Sequence, residues 1–311
     1  MNKSPKSGWR RFILIVLGIF LAFALMRVYF RLTDDFRISN IIYEMPYHPE
    51  WEIAPLSAKD QDHVDAILRQ SFTYLGKGAQ SYVFSSEDDK YVLKFFKFKH
   101  LKPSLFVDML PNIPPFAAHK TKESARKTRK LNGVFAGYRL AYDVDRDESG
   151  LLFIQLNPSH VNKPVTLIDK IGLTRPVDLG TVAYILQEKG KTLRTVFTEL
   201  MDKGDLSTVK ERIGQIFDLY LSEYRKGIYD HDHGVMHNTG FVEDRPIHLD
   251  VGKLSRDKNI EKPDVYQEDL LKVALKMKAW FIAYYPKQAP ELIQDMEAKL
   301  SVIFDRPFKF S

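Results

Sequence analysis

The amino-acid sequence predicts an α+β protein behind an N-terminal transmembrane helix, and three observations carry that prediction. An unbroken apolar run lies within the first thirty residues. Residues 72–188 contain several short segments with the apolar and β-branched character of strands, separated by turn residues. After Gly190, apolar residues recur with the period of amphipathic helices. The chain is therefore predicted to have a sheet-rich half and a helical half that meet near Glu188.

The apolar run from Phe12 to Met26 has fifteen residues, and Val28 to Phe30 extend it. With its flanking arginines reaching towards lipid headgroups, a helix of about 20 residues can cross the roughly 30 Å hydrocarbon core. Trp9 and Tyr29 suit the two membrane interfaces. We therefore predict a basic tail over residues 1–8 and a single-pass anchor over residues 9–30.

A cleaved signal peptide is the alternative interpretation of the same segment. Four basic residues precede the run, and Ala22-Phe23-Ala24 has the small residues of a cleavage site. The apolar residues that continue beyond Ala24 favour the uncleaved anchor. A lipid bilayer is thus the first expected partner.

The elements of the sheet-rich half follow a juxtamembrane segment, residues 31–71, that carries a short helix from Ser57. Strand-like segments and one long helix are then expected in this order: strands at 72–75, 81–85 and 91–98, a helix from Ala117 to about Leu131, and strands at 151–156, 165–171 and 182–187. The helical half, residues 189–311, is predicted to contain helices at 192–202, 207–225, 264–285 and 291–304.

Composition excludes some classes of function. The 311 residues contain no cysteine, so disulfides, thiolate metal sites and cysteine nucleophiles are excluded. The net charge of +6 is modest for this length, and no nucleic-acid partner is expected.

Gly76-x-Gly78 lies between two predicted strands, and Ser81 stands where a third glycine would follow. A glycine hairpin between strands lets backbone N–H groups approach phosphate oxygens. An ordinary hairpin with two glycines is the alternative.

Lys94 interrupts an apolar strand, where it shares one face with Val92 and Phe96. A lysine between large apolar neighbours is costly unless it is paired. Glu123 is the only carboxylate between Asp108 and Asp143, so it is the expected partner. The alternative is that Lys94 extends to solvent from an edge strand.

Asn238 ends a run rich in His and Asp, and Asp250 follows twelve positions later within Leu249-Asp250-Val251-Gly252. A short hairpin between them would bring an amide and a carboxylate oxygen together, which suits Mg²⁺ on a nucleotide phosphate. Asp232, in the same run, is a candidate catalytic carboxylate. His231, His233, His237 and His248 leave a second interpretation open, a Zn²⁺- or Mn²⁺-dependent hydrolase.

Together and in this order, these motifs resemble the protein-kinase-like superfamily over about residues 72–255, and in particular its atypical members with a small C-terminal lobe. The resemblance implies a two-lobed fold, with an antiparallel β N-lobe over residues 72–188 and a helical C-lobe over residues 189–311. It also implies ATP and Mg²⁺ as cofactors.

The same resemblance implies a role for each candidate residue. Gly76, Gly78 and Ser81 would cover the phosphates, Lys94 would contact them while paired with Glu123, and Asn238 and Asp250 would bind the metal. The backbone from Gln187 through Glu188 to Lys189 would hold the adenine, and Asp232 would orient the acceptor hydroxyl.

The sequence thus favours a membrane-anchored, ATP- and Mg²⁺-dependent phosphotransferase whose acceptor is a lipid-linked, glycan or protein hydroxyl. In the family the catalytic Asp precedes the Asn by five positions. Here that position is His233, and Asp232 lies one further back. A pseudokinase that acts as a membrane-tethered binding or scaffold module is therefore the alternative. The side of the membrane stays open, because the flanking charges lean slightly towards an exported domain whereas ATP use favours the cytosol.

Overall fold

The computed structural model describes residues 5–42, 45–101, 107, 109, 111–114, 116–159 and 161–310. A sheet-rich part is followed by a helical part, as the sequence predicts. The sheet-rich part contains helices α1 (Pro5–Leu32), α2 (Ile38–Ile41), α3 (Ala58–Leu68), α4 (Phe98–Leu101), α5 (Phe116–Val144) and α6 (Arg146–Ser149), and strands β1 (Ser71–Lys77), β2 (Ser81–Ser86), β3 (Tyr91–Phe96), β4 (Leu151–Gln155), β5 (Pro164–Ile168), β6 (Thr174–Asp178) and β7 (Tyr184–Glu188).

These seven strands form one sheet in the order β4-β7-β3-β2-β1-β5-β6. β1, β2 and β3 are successive antiparallel neighbours, and β7 crosses over to pair with β3 on the other side. The hairpin of β5 and β6 extends the opposite edge, where β5 runs parallel to β1. β3 is therefore an interior strand.

The sheet has a core on each face. Leu93 and Phe95 point to one core, which α3 closes with Val64 and Ile67. Phe96 points to the other, where it packs on Phe135 of α5. This division follows the alternation of side chains along β3.

The helical part begins at Gly190. It contains helices α7 (Leu193–Asp202), α8 (Leu206–Arg225), α9 (Val235–Asn238), α10 (Pro263–Tyr284) and α11 (Ala289–Ile303), and strands β8 (Lys191–Thr192), β9 (Ile228–Asp230), β10 (Thr239–Val242), β11 (Arg245–His248) and β12 (Leu254–Arg256). The longer helices enclose a core of large side chains that includes Phe197, Phe217, Met277 and Phe281. β10 and β11 are the predicted hairpin between Asn238 and Asp250, and β12 pairs with β9.

The N-terminal helix is long and apolar enough to cross a membrane. Gly8–Leu32 has a mean hydropathy of 2.5 in its most apolar window, and none of that window is buried. The helix is therefore not packed as a core helix. A signal sequence near the N-terminus would meet the same criteria of length and hydropathy.

The segment after α1 attaches this helix to the face of the sheet that α3 also covers. Phe36 is buried there, with its ring 5.2 Å from that of Tyr82 and 5.0 Å from that of Phe84. Asp34 pairs with Lys77, in the glycine hairpin, at 3.1 Å. The helix end thus has a fixed place on the sheet.

Candidate functional site

The glycine hairpin joins β1 to β2. The Gly78 N–H donates to the Ser81 carbonyl at 2.9 Å, which closes the turn. Among the described residues, a Cβ at Gly76 would meet nothing within 4 Å, and one at Gly78 would meet only the Ser81 hydroxyl at 3.6 Å. Packing within the chain therefore does not require glycine at either position, and the space beside the backbone is open to a bound group.

Lys94 lies on the interior strand β3, so the interpretation that it extends from an edge strand is wrong. Its ammonium donates to the Leu249 carbonyl at 2.6 Å, immediately before Asp250. Burial lowers the pKa of Lys94, and the charge of Asp250 opposes that effect. Among the residues described here, no carboxylate lies within 4.0 Å of the Lys94 ammonium, so this cation keeps capacity for an anionic ligand.

The expected pair of Lys94 and Glu123 is not found. Glu123 instead accepts from Arg126 at 2.8 Å, one turn along α5. The part of α5 that reaches Val251 and Gly252 lies near Tyr138, fifteen residues further on, which is about 22 Å along a helix. Elimination along the sequence found the only carboxylate between Asp108 and Asp143 but could not place it along the helix axis.

Tyr138 contacts Asp250 instead, and sequence reasoning missed it. Its hydroxyl lies beside the Asp250 carboxylate, and burial and that carboxylate together raise the Tyr138 pKa well above its ordinary value. The preceding Gly137 allows this approach, because a Cβ there would lie 2.6 Å from the Val251 carbonyl oxygen. Gly137, one turn after Gly133 in a helix, is the only sequence signal that could have indicated this contact.

Asp250 and Asn238 come together as expected. The N–H groups of Leu249 and Asp250 both donate to the Asn238 carbonyl, at 2.6 and 3.2 Å. Asp250 Oδ1 accepts from the Gly252 N–H at 3.3 Å. Two side chains with hard oxygen donors thus lie at the junction of the sheet-rich and helical parts.

Asp232 lies beside them, because the Asn238 amide donates to its carbonyl at 3.3 Å. The Asp232 carboxylate pairs with Lys253 at 2.7 Å, and this hydrogen bond holds the Asp232 pKa below its usual value. An ionised, partly exposed carboxylate at this position can accept a hydrogen bond from an acceptor hydroxyl.

A buried ionic network lies beneath the segment that carries Asp232, and sequence reasoning did not anticipate it. His248 is fully buried; its Nδ1 lies 2.8 Å from the Glu223 carboxylate and its Nε2 lies 3.6 Å from Asp230. Burial acts to lower the His248 pKa, but the charges of Glu223 and Asp230 outweigh it and raise that pKa to about 9. Burial also raises the Asp230 pKa to about 6. Asp230 in turn accepts from the Asp232 N–H at 2.7 Å, so the network positions Asp232.

The histidines do not converge on a metal site. His231 contacts Ser255 at 2.8 Å, His233 contacts Asp269 at 2.6 Å, and His248 belongs to the buried network. Within the described part of the chain, no group of three or more His, Cys, Asp or Glu could hold a metal ion. The structure therefore does not assemble the centre that the hydrolase interpretation requires.

The segment predicted to hold adenine has its N–H groups engaged within the protein. The Glu188 N–H donates to the Gly150 carbonyl at 2.9 Å, and the Lys189 N–H donates to the Lys90 carbonyl at 2.8 Å. Gln187 is fully buried, and its amide donates to the Ser149 carbonyl at 2.6 Å. In this conformation, these two N–H groups are not available to a purine, and binding of adenine by the other backbone groups of this segment stays a prediction.

The donors at the junction nevertheless fit a magnesium–phosphate group. Asp250 and Asn238 provide a carboxylate and an amide oxygen, the ligand types Mg²⁺ prefers, and Mg²⁺ sites commonly use one or two carboxylates plus phosphate and water. Lys94 provides a cation at the same junction, where its ammonium contacts the carbonyl directly before Asp250.

Comparison with models of known protein families finds no match, and no curated protein matches the chain. Solved structures match remotely. They include the bifunctional kinase-methyltransferase WbdD, at 12% identity and a TM-score of 0.36, with 75% of this chain and 45% of that chain covered. A structure of monomeric WbdD matches at 14% identity and a TM-score of 0.31, with 75% and 48% covered.

The complex of Rv3197 with erythromycin, from Mycobacterium tuberculosis, matches at 14% identity and a TM-score of 0.33, with 66% of this chain and 54% of that chain covered. The chain thus spans about half the length of these proteins. At these scores the likeness is remote, and the proposal below rests on the contacts of this chain.

Proposed function

We propose that this protein is an atypical kinase-like phosphotransferase that uses ATP and Mg²⁺ and is held at a membrane by α1. The observation that carries the proposal is the contact of Lys94 with the carbonyl directly before Asp250, 2.6 Å away, across the junction of the two parts. Asn238 and Asp232 adjoin the same point. The acceptor is a hydroxyl of a lipid-linked, glycan or protein substrate.

In the proposed reaction, the acceptor oxygen attacks the γ-phosphorus of ATP and forms a new P–O bond, while the bond to the β–γ bridging oxygen breaks and ADP leaves. Asp232 orients the attacking hydroxyl and accepts its proton. Lys94 attracts the phosphates, and the glycine hairpin limits their movement. Bound Mg²⁺, held by Asp250 and Asn238, would neutralise phosphate charge.

Two contacts around Asp232 prepare it for that role. Lys253 keeps the carboxylate ionised, and Asp230 holds its backbone. The acceptor proton therefore meets a charged oxygen that Lys253 holds, on a backbone that the buried Asp230 positions, and the orientation needs little reorganisation during transfer.

The first test is a thermal-shift titration of the full chain in a non-ionic detergent with ATP and Mg²⁺. We expect the melting temperature of the wild type to rise, by an amount that grows with nucleotide concentration. Asp250→Ala should lose the shift, whereas Asp62→Ala, on the exposed face of α3, should keep it. No shift in the wild type, or an equal shift in Asp250→Ala, would contradict the proposal.

A pseudokinase is the second candidate, and two observations favour it. Lys94 lacks the expected pairing with Glu123, and the N–H groups of Glu188 and Lys189 are engaged. Turnover decides between the two. If the wild type releases ADP and Asp232→Asn lowers the rate by about a hundredfold or more, the enzyme is supported. If the wild type binds nucleotide but releases ADP no faster than Asp232→Asn, the binding module is supported.

A further inference from the structure

A cavity of about 620 Å³ opens beside residues 232–237 of the helical part. Asp232 lies in its wall, so the cavity is adjacent to the carboxylate that would orient an acceptor hydroxyl. Its other walls come from the start of α7, the α9 turn and one side of α10. Its position and size suit a small molecule or the end of a larger one.

The charged side chains around this cavity are mostly cations. Arg194, Lys272 and Lys276 line it, and Asp232 is the one acidic residue among its lining residues. Lys272 pairs with the buried Asp269 at 3.3 Å. In the described portion of the chain, Arg194 and Lys276 have no carboxylate within 4.0 Å. Because the Asp232 carboxylate is already paired with Lys253, the unpaired charges that line the cavity are positive.

The floor of the cavity is aromatic. Trp280 and Tyr284 both line it, and their ring centres are 5.4 Å apart. Trp280 is only 8% exposed, and its indole N–H is buried with no hydrogen-bond partner among the described residues. The two rings therefore offer an apolar face to a bound molecule.

We propose that this cavity binds the acceptor, and that the acceptor is a hydroxyl compound carrying a phosphate or carboxylate group. The anionic group would lie against Arg194 and Lys276, and an apolar face would contact Trp280 and Tyr284. The hydroxyl would then reach Asp232 at the mouth nearest the nucleotide. This inference rests on the proposed phosphotransferase, because it assigns the acceptor class to the same site.

The cavity can be tested without nucleotide by three small probes: glycerol 3-phosphate, glycerate and glycerol. They share hydroxyl groups and differ in charge. We expect isothermal titration of the full chain in non-ionic detergent to detect one or both anions and not glycerol. An accompanying change in tryptophan fluorescence should disappear in Trp280→Phe, which places the probe at this cavity. Binding of one anion alone identifies phosphate or carboxylate as the recognised group.

The charge argument is tested by the double variant Arg194→Gln/Lys276→Gln. Each lost charge-assisted contact is worth roughly tenfold in affinity, so we expect the anion to bind at least about tenfold more weakly. Lys258→Gln, an exposed lysine outside the cavity, should bind like the wild type. Melting temperatures of both variants close to that of the wild type establish that they are folded.

Binding of neither anion, glycerol binding as tight as that of the anions, or a double variant within twofold of the wild type would overturn the inference. These outcomes are separable from failure of the proposed function. A nucleotide-induced thermal shift without anion binding removes the acceptor class and leaves the phosphotransferase. Anion binding without a nucleotide shift removes the phosphotransferase and leaves an anion site of another purpose.

Discussion

Replacing His248 by Gln tests whether the buried network stabilises the junction. His248 is fully buried between Glu223 and Asp230, and its pKa of about 9 stands above the ordinary value of 6.5. A shift of that size corresponds to about 3 kcal/mol of stability while the imidazole is charged. Gln cannot take the positive charge, so the variant leaves two carboxylates without their buried cation.

The sign of the pH dependence follows from the raised pKa of His248. Its contribution is fully present below about pH 6.5 and is lost as the pH rises through about 9. We therefore expect the free energy of unfolding of His248→Gln to lie about 3 kcal/mol below that of the wild type at pH 6. At pH 9.5 the difference should fall below about 1 kcal/mol, because the wild-type imidazole is then neutral.

Urea denaturation of the full chain in non-ionic detergent, at both pH values, measures this difference. Subtracting variant from wild type removes the titration of other groups to first order. His63→Gln, an exposed histidine, is the matched control and should differ little from the wild type at either pH. A His248→Gln deficit that is the same at pH 6 and pH 9.5 would refute the reasoning, since it would show that shape and not charge is lost.

Two further predictions concern packing, and both are measured by the same urea denaturation at neutral pH. Gly137→Ala should destabilise the protein by about 1–3 kcal/mol, because its Cβ would lie 2.6 Å from the Val251 carbonyl oxygen. Gly133→Ala is the matched control: its Cβ would meet none of the described residues within 4 Å, so it should stabilise α5 by up to about 1 kcal/mol. Equal effects at the two positions would contradict the close approach. Phe36→Ala should cost about 3–5 kcal/mol as the segment after α1 loses its buried ring, and Val302→Ala, 82% exposed, should stay within about 0.5 kcal/mol. A Phe36→Ala loss as small as that control would show that this segment is not packed on the sheet.

The parts of the candidate site that the sequence predicted correctly are close in the chain or fixed by strand alternation. Asn238 and Asp250 meet because a short hairpin joins them, and a hairpin leaves few arrangements open. Lys94 faces inward because alternation along a strand assigns each side chain to a face. The glycine hairpin likewise follows from two adjacent strands.

The errors concern how elements pack over long distances in the chain. Glu123 was chosen because it is the only carboxylate between Asp108 and Asp143, but the contact of Gly137 with Val251 decides which turn of α5 reaches Asp250. The engaged N–H groups of Glu188 and Lys189 could not be foreseen either. Their acceptors, Gly150 and Lys90, lie in different segments of the chain.

The sequence by itself therefore determined the order of the sheet-rich and helical parts, the apolar helix before them, and the placing of Lys94 on its strand and of Asn238 and Asp250 at the ends of one hairpin. Local periodicity and short turns are enough for these, because they depend on near neighbours. Only the tertiary structure decided that Tyr138 contacts Asp250 and that Glu223, His248 and Asp230 form one buried network. Those contacts join residues far apart in the chain, and the packing of side chains against distant backbone selects them.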